Sequence, residues 1–139
     1  MATYTTWTPD LEIGCSIIDE QHQQLIAAVN NLFDAYKNGK GRKEVDQTMV
    51  FLLDYTIKHF NEEEQLQQQY DFPDHIRHKG IHADFKETAK RMTDKLSREG
   101  PSEDLISEIC TTIGRWIINH IKKEDVKIAA HIKNVEQNK

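Results

Sequence analysis

The chain has 139 residues, of which 37% are hydrophobic and 29% charged, and a formal net charge of −5. That is enough sequence for one domain with a modest core, and an acidic chain without a basic patch argues against nucleic-acid binding. No apolar run approaches the roughly 20 residues that span a bilayer, and the opening "MATYTTWTPD" lacks the basic and apolar regions of a secretory signal.

In chain order, the first 17 residues read as an extended N-terminal arm anchored by Trp7. Four amphipathic stretches follow, punctuated by "NGKG", "YDFPD" and "EGPS", which are breaks of the kind that end one helix and start another. From about Ile18 to Lys37, the seam reads Ile18, His22, Leu25, Val29, Leu32, Tyr36. From about Lys43 to Gln69, it reads Val45, Met49, Leu52, Thr56, His59, Glu63, Leu66. The third stretch, about His75 to Arg98, carries His75, His78, His82, Phe85, Ala89, Met92 and Leu96. The fourth, from about Glu103, carries Leu105, Ile109, Ile113, Trp116 and His120, flanked by Ile106, Ile117 and Ile121. Spacing of three and four puts each set on one helical face. Nothing alternates with the period of a strand. Short breaks between long helices predict an all-α, up-down-up-down antiparallel four-helix bundle over residues 18–125, within a single domain of residues 1–139. Residues 126–139 are expected to form a short tail helix.

Those seams hold residues that should not be there. His22, His59, Glu63, His78, His82 and His120 occupy core positions, and buried imidazoles and carboxylates are costly unless something pairs with them. One such histidine is unremarkable, but six polar residues over four helices point to a shared metal centre. His78 and His82, and likewise His59 and Glu63, sit at i and i+4 and can grip one ion. Gly80, between the two histidines of "HKGIH", costs up to ~1 kcal/mol of helix propensity and is expected to admit a neighbouring helix. In "HIKKED", spacing favours Glu124 at i+4 from His120; Asp125 at i+5 is turned by about 140°. Periodicity leaves that choice open. His75 is admitted by spacing alone and left out of the set. His131, Glu62 and Glu64 are expected at the surface. Cys15 and Cys110 lie far apart without CxxC spacing and read as reduced thiols of a cytoplasmic protein.

Together, "GCSIIDEQH", "HFNEEE", "HKGIH" and "HIKKED" resemble the hemerythrin family of non-haem di-iron proteins, most of all its bacterial branch, from about Trp7 to Asp125. The resemblance implies that His78, His82 and His120 bind one iron and that His22 and His59 bind the other. Glu63 and Asp125 would bridge the two, against the spacing argument for Glu124. It also implies an oxo- or hydroxo-bridged pair of iron ions, dioxygen as ligand, and an apolar oxygen pocket matched here by Leu25, Phe60, Trp116, Ile117 and Ile121. Cys15 is outside the family's pattern.

With those ligands, two roughly octahedral irons are filled except for one position, on the iron of His22 and His59. No Glu-x-x-His, the motif of oxygen-activating di-iron bundles, occurs in the chain. Reversible dioxygen binding, for sensing, delivery or storage, is therefore expected rather than turnover. The alternatives are a di-iron enzyme reducing peroxide, nitrite or nitric oxide, and an iron-storage or structural bundle binding zinc. The chain itself is expected to make no membrane contact. Whether it stands alone or is one domain of a larger receptor is open at this stage.

Overall fold

The computed structural model describes residues 6–138. Helix α1 spans Ser16–Lys37, α2 Arg42–Gln69, α3 His75–Glu99 and α4 Glu103–His120. They form the antiparallel four-helix bundle, with no strand among the described residues. Helix α1 packs against α2 and α4, and α2 against α3. The interior is aliphatic at the far end from the histidines, where Val29, Leu32, Met49, Leu52, Leu96, Ile106 and Ile109 are buried. Cys110 lies in this layer, its thiol against the Val29 carbonyl at 3.7 Å. Burial pushes that thiol up to about 12.

Local chemistry explains the breaks. At the end of α2, Asp71 takes a left-handed conformation with φ 52°. The Phe72 N–H then reaches the Gln67 carbonyl at 2.8 Å and the Asp71 N–H that of Gln68 at 3.2 Å. This is a Schellman closure with an aspartate where glycine is commoner. It tucks Phe72 under the bundle, with its ring centre 6.5 Å from that of His78. Ser102 caps α4 by accepting the Leu105 N–H at 3.1 Å.

The expected arm needs correction. The arm is not simply extended: Pro9–Leu11 makes a 3₁₀ turn, α1 begins two residues before Ile18, and residues 1–5 lie outside the described residues. Trp7 does pack against the core. The buried Asp19 carboxylate accepts the N–H groups of Ile13 at 2.8 Å and Gly14 at 3.2 Å, which ties the arm to the first turn of α1. The short tail helix is present as expected. A π-helical segment, Ile121–Asp125, joins α4 directly to α5, Val126–Gln137, whose Ile128 and Ile132 pack on Phe72. No helix among the described residues is long and apolar enough to cross a membrane.

Gly80 is also not what its place suggested. It is exposed, and a Cβ there would meet nothing within 4 Å. No helix approaches it. Gly80→Ala is expected to stabilise the fold by about 0.5–1 kcal/mol, read as a melting point a few degrees higher with metal content unchanged. A lower melting point would show that the flexibility is needed.

Candidate metal centre

Seven side chains from the four helices and the π segment meet inside one end of the bundle. His22 comes from α1, His59 and Glu63 from α2, His78 and His82 from α3, His120 from α4, and Asp125 from the end of the π segment. All are buried, with Glu63, His82 and Asp125 at 0% exposure.

Their donor atoms form two groups. Glu63, His78, His82, His120 and Asp125 make one; His22, His59, Glu63 and Asp125 make the other. Within the first, the His120 Nε2 lies 3.1 Å from that of His78 and 3.2 Å from that of His82. Three ring nitrogens aimed at one another need a common acceptor of their lone pairs. The two carboxylates belong to both groups, each with one oxygen on either side. Glu63 Oε1 is 2.8 Å from His78 Nε2 and 3.1 Å from His82 Nε2, whereas Oε2 is 3.3 Å from His59 Nε2. Asp125 Oδ1 is 3.0 Å from His120 Nε2, whereas Oδ2 is 2.8 Å from His22 Nε2. Glu63 Oε2 and Asp125 Oδ1 are buried without a properly directed hydrogen bond. Orphaned carboxylate oxygens among converging imidazoles are the donor set of a cation site, and mixed nitrogen and oxygen donors suit iron.

The backbone separates Glu124 from Asp125. In the π segment the Val126 N–H bonds the Ile121 carbonyl five residues back. That widened turn brings residues five apart onto one face. Asp125 therefore falls beneath His120, and Glu124 turns outward to Arg77, at 2.5 and 3.1 Å. Arg77 holds the Glu124 carboxyl below its usual range.

Around the seven sit residues that the sequence reading missed. Glu64 Oε2 is 2.9 Å from His82 Nδ1, and Gln21 Oε1 is 2.6 Å from His59 Nδ1. Gln21 in turn donates to Glu62. Acceptors behind a ligating imidazole fix its tautomer and orientation. Glu62 and Glu64, expected at the surface, are thus half-buried parts of this frame. Each is adjacent in sequence to a seam residue but bonds another helix, so periodicity carried no signal for it. His131 is likewise half-buried, its Nε2 2.7 Å from the Tyr70 carbonyl oxygen. His75 is exposed and belongs to neither group.

The centre is also charged. Burial works against ionising Glu63, but His120, His59, His78 and His82 outweigh it and hold the carboxyl well below its usual value. Asp125 is lowered too: burial and the Glu63 charge oppose, while His120, His22 and His78 prevail. Burial disfavours a charge on His120, yet Asp125 and Glu63 raise it to about 9. Raised above the imidazole's ordinary 6.5, His120 stabilises the metal-free fold fully below that value and loses this contribution as pH rises through about 9. An imidazole must be neutral to ligate a metal. Loading a divalent metal near pH 7.5 is therefore expected to release protons, and fewer near pH 10, measurable with an indicator dye in weak buffer. Equal release at both pH values would refute a protonated His120.

A small cavity of about 10 Å³ adjoins the second group. His22, His59, His120 and Asp125 face it on one side, and Leu25, Phe60, Trp116, Ile117 and Ile121 on the other. Those last five are the apolar residues named above for an oxygen pocket. Thr56, not anticipated, completes the wall. The Phe60 ring stacks on His82 at 3.8 Å and 7°, and Trp116 stacks on His120 at 4.3 Å and 13°.

Residues 14–132 match the model of the hemerythrin HHE cation binding domain. The chain belongs to the hemerythrin family. Among its relatives, the bacteriohemerythrin of Stenotrophomonas maltophilia is 34% identical over 127 residues, 91% of this chain and 80% of that one. The bacteriohemerythrin of Pseudomonas aeruginosa is 32% identical over 122 residues, 88% and 77% of the two chains. A hemerythrin-like protein of Naegleria gruberi is 31% identical over 121 residues, 87% of each. Crystalline wild-type hemerythrin superposes with a TM-score of 0.78 at 26% identity, covering 88% of this chain and 92% of the other. A hemerythrin chain thus presents here a His, Glu and Asp cluster able to bind metal.

Proposed function

We propose that the cluster holds two iron ions and that the chain binds dioxygen reversibly beside them, for sensing, delivery or storage. His78, His82 and His120 would serve one iron and His22 and His59 the other, with Glu63 and Asp125 shared. A ferrous pair supplies the two electrons that dioxygen draws on when it binds. The observation that carries this reading is the position of the cavity. It is lined by both His22 and His59 but, of the other three histidines, by His120 alone.

Chain residues make that cavity selective for a small neutral molecule. Its volume is near the minimum that holds one water. Leu25, Ile117 and Ile121 offer no hydrogen bond, so a charged product gains nothing by leaving through them. The Thr56 hydroxyl is committed to the Leu52 carbonyl, which it reaches at 2.7 Å. No free hydroxyl in the wall can therefore hand a proton inward. The stacked rings of Phe60 and Trp116 hold His82 and His120 in place and keep water out. Uptake without turnover follows from a site that is apolar, tight and poor in protons. The free thiols of Cys15 and Cys110 suit a reducing compartment such as the cytoplasm.

Anaerobic reduction of iron-loaded protein followed by oxygen should produce a visible charge-transfer band that disappears on deoxygenation and returns. Ile117→Asn should retain iron and oxidise irreversibly about tenfold faster or more, since one polar group admits water. An iron-loaded sample with no reversible band would defeat the proposal, as would sustained reduction of peroxide, nitrite or nitric oxide with a donor.

A further inference from the structure

We infer that the outer groove between α2 and α3 is a second ligand site, which takes a flat aromatic anion such as an aryl carboxylate or sulfonate. The groove has a volume of about 330 Å³, within the range of small-molecule sites. Leu53 and Ile57 of α2 and Phe85 and Ala89 of α3 give it an apolar floor. Ile57 is 41% exposed, a large apolar side chain left facing solvent on this wall. Lys86 and Lys90 line the groove one turn apart on α3, and among the described residues neither ammonium forms an ion pair. An apolar slot beside two lysines that form no ion pair complements a ring that carries one negative group. Asp94, one turn further along, repels an anion at that end and so orients the ligand with its charge toward Lys86 and Lys90.

This groove is separate from the metal centre but is joined to it by packed rings. Phe85 lies 5.8 Å from Phe60 and 4.1 Å from Trp116, the two rings that stack on His82 and His120. Thr56 lines both the groove and the inner cavity. A ligand in the groove would thus press on the layer that positions two imidazoles, whichever metal the centre holds.

The test uses 1-anilinonaphthalene-8-sulfonate and its uncharged analogue N-phenyl-1-naphthylamine, titrated by fluorescence into the metal-loaded protein. The sulfonate should bind saturably, one per chain, and quench tryptophan emission. Reversing both charges, Lys86→Glu with Lys90→Glu, should weaken the sulfonate about tenfold and change the neutral analogue by less than about twofold. Ile57→Glu, at a partly exposed position where the fold tolerates a charge, should abolish both. Ile76→Glu, at a site 76% exposed and off the groove, should abolish neither. Thermal melts confirm that each variant is folded. Absent or non-saturable binding, binding that survives Ile57→Glu, or indifference to charge reversal overturns the inference. So does sulfonate binding that falls as protein concentration rises, because a second copy of the chain would then own the face.

Discussion

Asp125→Ala is expected to abolish the metal pair, while Glu124→Ala, one residue away, keeps both ions. Asp125 is fully buried and sends one oxygen toward His22 and the other toward His120. Removing it deprives both groups of a donor and leaves a raised, charged His120 without its main partner. Breaking a buried ion pair from one side costs about 3–5 kcal/mol. Glu124 instead pairs at the surface with a mostly exposed Arg77, a contact worth about 0.2–1 kcal/mol. Metal per chain, measured by elemental analysis, and the melting point read out both variants. Two ions retained in Asp125→Ala with one lost in Glu124→Ala would reverse the assignment and imply that the π turn relaxes when metal is present.

Chelation should have the other large effect. A ligand that binds only the folded chain stabilises it by about 4 kcal/mol when present at a thousand times its dissociation constant. For a chain of this size that is roughly 10 °C in melting temperature. Stripping the metal at neutral pH should lower the melting point by at least that much, and adding a divalent metal back should restore it. Superimposable melts with and without metal would mean that the carboxylate–imidazole pairs alone satisfy the centre. The metal-free bundle should nevertheless stay helical, because the aliphatic layer around Leu32, Leu52 and Ile109 is remote from the ligands and fully buried.

What could be read from the chain follows from what periodicity reports. The seams of α1 to α3 are regular, so helix number, approximate ends and inward faces were legible. So was the inward place of His22, His59, Glu63, His78, His82 and His120, which called for a common partner. The resemblance chose Asp125, where periodicity had favoured Glu124 on spacing and left the choice open. Spacing failed there because 100° per residue assumes α geometry, and the chain departs from it for five residues.

Sequence by itself determined the bundle and the inward place of its five ligand histidines and Glu63, because both depend on a spacing of three and four. Tertiary structure decided what depends on distance across helices. It split two carboxylates between two groups of donors, set Glu64 and Gln21 behind their histidines, and left a cavity lined by His22, His59 and His120. It also turned Asp125 inward by widening one turn. Each of these is a choice between side chains of similar polarity, and only packing against other helices ranks them.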